Sequence, residues 1–144
     1  MKNVNKNDVE GTSFNIAAAF GAMADSRRLQ LLGDFALESD AMLGVIRLGR
    51  EKNGAWERHD GGDEMLMILE GRVTMTLRRE GAPDQTHHVG AGDTLLIPKG
   101  VAHSGMLHTD EVRVFFITPR EGNHEWTDHP DTEGHRGSEF ATVE

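Results

Sequence analysis

The chain has 144 residues, 24 of them acidic against 15 basic, with eight histidines, no cysteine and a formal net charge of -9. That length fits one domain, which buries roughly 68–70% of its unfolded surface, and the acidic balance without a basic cluster argues against nucleic acid and anionic membranes as partners. With no cysteine, disulfides, thiolate nucleophiles and Cys-held zinc or iron–sulfur sites are excluded, so any metal must take His, Asp, Glu or backbone oxygen.

No apolar run approaches the ~20 residues of a membrane span. Phe14 to Ala24 is apolar and ends in Ala22-Met23-Ala24, but Asp8 and Glu10 spoil the positive start of a signal peptide, so a cytoplasmic protein is expected. Thr12 or Ser13 offers a cap, and Phe14, Ile16, Ala17, Phe20 and Met23 follow one helical face, predicting a short helix packed on the body.

From Leu29 onward, short β-forming runs alternate with turn signals. The expected strands are Leu29–Ala36, Met42–Leu48, Ala55–His59, Met65–Leu69, Val73–Arg78, Thr86–Val89, Thr94–Ile97, Ala102–Leu107 and Val112–Thr118. Glu70-Gly71 marks a tight hairpin, and Pro98-Lys99-Gly100 marks a turn. Met65–Leu69 is apolar on both faces, which points to a covered outer face or to a homodimer interface. Residues 121–144 carry seven acids against Arg136 alone and read as an irregular acidic tail, with Trp126 or Phe140 as candidate anchors. The predicted organisation is a 1–27 N-terminal arm and helix, a 28–120 all-β domain and a 121–144 tail.

Chemistry concentrates in Trp56-Glu57-Arg58-His59-Asp60-Gly61-Gly62-Asp63-Glu64. Glu57 and His59 are two apart on a strand and share a face, and Glu64 can return to that face at the start of the next strand. His103 follows Pro98-x-Gly100-x-x-His103, a tight turn between strands.

Gly92-x5-Pro98-x-Gly100-x2-His103 matches the second cupin motif, and His59-x4-Glu64-x6-Gly71 the later part of the first. Over about residues 28–119 the chain resembles the single-domain cupin superfamily. The resemblance implies a double-stranded β-helix, or jelly roll, with a metal at its open mouth. It also implies His59, Glu64 and His103 as ligands. Two positions depart from the pattern: Glu57 stands where the first histidine would be, and Leu107 where asparagine is usual.

Glu57 as a carboxylate ligand gives two nitrogen and two oxygen donors, a set suited to iron(II), manganese, zinc or nickel. Swung away, it leaves a two-His-one-carboxylate set with more open positions. In the bland alternative the histidines and glutamates are hydrogen-bonded core pairs of a metal-free cupin. Strand parity turns Leu66 and Ile68 to the side of Glu64, and Leu107 to that of His103, outlining an apolar pocket for a small organic ligand. The expected function is therefore a metal-binding cupin, an oxygenase, isomerase or lyase on a small metabolite; the alternative is a ligand-binding protein that turns nothing over.

Overall fold

The computed structural model describes residues 10–26, 28–38 and 40–127. Its ten strands form two antiparallel five-stranded sheets, as expected of an all-β jelly roll. They are β1 (Thr12–Asn15), β2 (Ala41–Gly49), β3 (Trp56–His59), β4 (Glu64–Glu70), β5 (Arg72–Leu77), β6 (Gln85–Gly90), β7 (Asp93–Ile97), β8 (His103–Leu107), β9 (Glu111–Pro119) and β10 (Asn123–Trp126). One sheet runs β1-β7-β4-β9-β2 and the other β10-β3-β8-β5-β6.

Period-2 alternation decides what lies between the sheets. Ile68, Leu95, Val112 and Val114 of the first sheet meet Val73, Met75, Leu77 and Leu107 of the second in one buried core. Gly71 closes the β4–β5 hairpin at φ +89, and a Cβ there would run into the Glu111 carbonyl. Gly100, at φ +76, lets the turn before β8 fold back so that its N–H donates to the His59 carbonyl at 2.8 Å. That bond ties the loop delivering His103 to the strand carrying His59.

Three expectations need correction. Leu29–Ala36 forms no strand: it carries strand-like alternation but pairs with neither edge strand of the adjacent sheet, β1 or β2. The segment instead runs outside that sheet, with Gly33 against Leu96 and a bridge from Leu37 to Gly62. The helix, α1, spans only Ile16–Ala22, because Thr12–Asn15 pairs with β7 as β1; its cap is Asn15, which accepts from the Ala18 N–H at 2.9 Å. Nor does α1 bury any residue, and Phe20 is 69% exposed.

The start of the acidic segment is ordered into β10, which pairs with β3 and buries Trp126. Phe140, His129 and His135 lie outside the described residues. Among those described, no helix is long and apolar enough to cross a membrane.

Candidate metal site

Strand β3 presents Glu57 and His59 to the space between the sheets, and its pairing with β8 sets Glu57 directly opposite His103. Glu64 opens β4 in the other sheet, opposite Ile97. One donor atom from each of Glu57, His59, Glu64 and His103 falls within 4.8 Å of all the others. His59 Nε2 lies 3.0 Å from Glu64 Oε2, and His103 Nε2 lies 3.3 Å from Glu64 Oε1. Glu57 Oε2 is 3.7 Å from both imidazoles and is the most solvent-exposed member, its side chain 32% exposed.

The partners on the far side of each ring fix what the near side offers. Asn123 Nδ2 donates to the Pro119 and Arg120 carbonyls, so its Oδ1, 2.8 Å from His59 Nδ1, accepts the imidazole proton. His103 Nδ1 donates to the Val101 carbonyl at 3.0 Å. With both Nδ1 atoms carrying the proton, each neutral ring turns an Nε2 lone pair toward the carboxylates. Thr118 Oγ1 donates to Glu64 Oε2 at 2.6 Å and holds that buried carboxylate in place. Four electron-pair donors thus face one point, the arrangement a divalent cation satisfies, and outer partners orient the rings.

In the absence of a cation, protons bind this cluster tightly. Burial alone lowers the His103 pKa, but hydrogen bonds and charge from Glu57 and Glu64 outweigh it and push it up to about 10. His59 is also raised: burial opposes its charge, and Glu64 more than compensates. Burial disfavours ionised Glu64, yet the two histidines hold its carboxyl far below the usual range.

Beside the cluster lies a cavity of about 460 Å³, within the ~300–1,000 Å³ usual for small-molecule sites. Leu66, Ile68, Leu107, Val73, Met75 and Phe116 are among its walls. Phe116 reaches across β2 because Gly44 opposite it has no side chain; a Cβ at Gly44 would fall 2.6 Å from the ring. Lys52, in the short 3-10 turn Arg50–Lys52, lines the cavity with Glu125 of β10, and the two pair at 3.4 Å.

Sequence reasoning missed Asn123, Thr118, Lys52 and Glu125. Asn123 follows Gly122 in a stretch that reads as turn and tail, and only the β10–β3 pairing brings it opposite His59. Asp63, next to Glu64, is structural: its carboxylate accepts from the Ala36 and Lys99 N–H groups, each at 2.8 Å. His87 and His88 bond Ser13 and Thr74, apart from the cluster.

The family model described as cupin domain matches residues 45–119. The chain belongs to the cupin family. Similar solved structures include a cupin-2 domain protein from Shewanella frigidimarina, 24% identical over 74% of this cupin and 94% of that chain, with TM-score 0.45. Others are an oxalate decarboxylase–formate complex from Lactobacillus farciminis (13% identity, 62% and 27% coverage, TM-score 0.49) and RmlC from Streptococcus suis with dTDP-D-xylose (19%, 56% and 44%, 0.43). This cupin spans about a quarter of the decarboxylase chain. No curated protein matches its sequence.

Proposed function

We propose that this cupin is a metal-dependent enzyme acting on a small organic metabolite, with one divalent ion held by Glu57, His59, Glu64 and His103. What carries the reading is the commitment of both Nδ1 protons to Asn123 and Val101, which aims two imidazole lone pairs at two carboxylates. Iron, manganese, zinc and nickel all suit two nitrogens with two carboxylate oxygens, and two negative charges balance the cation. Such an ion supplies Lewis acidity to a bound substrate oxygen.

The side chains divide the remaining work. Glu64 is buried and clamped by Thr118, so it serves as a fixed ligand. Glu57 borders the cavity and keeps solvent access, so when not ligated it is the group placed to take a proton from a bound substrate. Leu66, Ile68 and Leu107 exclude water and hold the apolar body of the substrate.

Elemental analysis of the purified protein tests this. We expect about one equivalent of metal, lost in His103→Ala; metal-free protein whose thermal stability ignores both chelator and that substitution would overturn the reading. Comparing Glu57→Ala with Glu57→His resolves the fourth ligand: occupancy as high in Glu57→Ala as in the parent would exclude direct ligation. The predominance of apolar groups in the cavity wall favours a second reading, a cupin that binds its ligand without turnover. In that case a ligand recovered from the loaded protein returns chemically unchanged.

A further inference from the structure

A row of ionisable side chains leads out of the donor cluster across three strands. His103 of β8 stands opposite Glu57 of β3, and Glu57 stands opposite Glu125 of β10. Residues directly opposite share a face, with Cβ atoms roughly 5 Å apart, so Glu125 borders the same cavity as the cluster. Neighbouring carboxylates repel, and the countercharge comes from Lys52, whose Nζ lies 3.4 Å from Glu125 Oε1.

Lys52 is the only lysine or arginine among the described residues of the cavity wall, against Glu57, Glu64 and Glu125. Its turn is pinned beside the cavity. The Asn53 N–H donates to the Arg50 carbonyl at 3.0 Å, and Asn53 Oδ1 accepts from the Leu107 N–H of β8 at 2.9 Å. The ammonium itself is held less firmly. Its 3.4 Å contact is longer than the ~2.7–2.9 Å of a well-made charged bond, and the Lys52 and Glu125 side chains are 50% and 32% exposed. An ammonium has three donors, of which Glu125 takes one. The wall's hydroxyls are committed elsewhere: Ser104 Oγ donates to the Ala55 carbonyl and Thr118 Oγ1 to Glu64.

The geometry points to Lys52 as the specificity-determining residue of the cavity, selecting a small organic acid whose carboxylate it binds in place of Glu125. This rests on the metal-site reading above and names its substrate class. With Glu57 and Glu64 balancing a divalent ion, Lys52 and Glu125 are the charges left to meet a ligand. Glu125 then stands in for the substrate carboxylate, neutralising the ammonium while the cavity is free and turning to solvent when an anion arrives. A neutral ligand gains nothing by breaking that pair, so the pair discriminates acid from amide. The acid's apolar body lies along Leu66, Ile68, Val73 and Phe116, and its carboxylate stays at the half-exposed edge.

Calorimetric titration with benzoate, hexanoate and their uncharged amides tests this, with metal content measured on every sample. In the parent, each acid should bind about tenfold or more tighter than its amide, the range of a hydrogen bond to a charged group. Lys52→Met should erase that preference, and Lys52→Arg should keep it to within about threefold. Glu125→Gln should act in the opposite direction: without the internal competitor, the acids bind about two- to fivefold tighter and the amides as before. A salt bridge that only holds β10 in place would make Lys52→Met and Glu125→Gln behave alike. Thermal midpoints and amide binding near the parent's values certify that each variant is folded, and Lys52→Gln replaces Lys52→Met if that variant is not. Acids that bind the parent no better than their amides, a preference that survives loss of the ammonium, or acids weakened by Glu125→Gln would overturn the inference. A metal-free parent refutes the metal-site reading, whereas a metal-loaded parent indifferent to Lys52 refutes this inference alone.

Discussion

Asn123 shows how much of a ligand's behaviour is set one residue away from it. Its amide offers His59 an acceptor and nothing else, since its own donors are used by Pro119 and Arg120. Replacing it by Ala frees the ring to rotate and to change tautomer, so metal affinity should fall about 10–100-fold while the fold persists, as read by metal titration and circular dichroism. Protons compete for the same atoms. With His103 raised to about 10, loading at neutral pH must displace a proton, and apparent affinity should climb with pH until about 10. In the chelated protein the sign follows from the same shift. The stability His103 contributes is complete below its unfolded value of 6.5 and is lost as pH rises through about 10, which thermal midpoints across that window would show. Glu64, shifted down, acts oppositely: its contribution is present above its unfolded value of 4.5 and is lost only toward strong acid. Glu57, His59 and Glu64 were legible because they flank a single strand connection, where parity alone places them. Asn123 and Thr118 were not, because each meets its partner across more than fifty residues of chain.

At the level of elements, every strand from β2 to β9 was read within a residue of its observed ends, the edge strands β2 and β6 among them. β4, β5 and β7 lie inside sheets or against the core, and their alternation or continuous apolar runs mark them within a residue of their observed ends. The first and last strands were harder. β1 and β10 are four-residue strands whose existence depends on β7 and β3 rather than on any local pattern. Residues 29–36 carry strand-like alternation, yet they run over the outside of the sheet and pair with neither of its edge strands. β10 is nonetheless more than a trimming: it carries Asn123 to His59, Glu125 to Lys52, and buries Trp126. Trp126→Ala should cost about 3–5 kcal/mol in denaturant unfolding. It should also weaken metal binding although Trp126 is no ligand, because the strand that holds Asn123 loses its anchor. Leu95→Ala, fully buried in the core, should cost a similar ~2–5 kcal/mol but leave metal affinity near the parent's, which separates general destabilisation from loss of the strand.

For the whole molecule, the jelly roll was recoverable from turn chemistry and two motifs, whereas which face remains uncovered was not. Exposure of the outer sheet depends on the path of residues 28–38, and that path follows from tertiary contacts such as Gly33 on Leu96. The donor set also joins what the fold keeps apart. Glu57, His59 and His103 belong to one sheet and Glu64 to the other, with Thr118 of that second sheet behind it. A cation shared by all four would act as a rivet through the sandwich, closing a chain loop in each sheet at once. Its removal should appear as faster amide exchange in β3, β4 and β8 together, a mechanical signature independent of any reaction at the site.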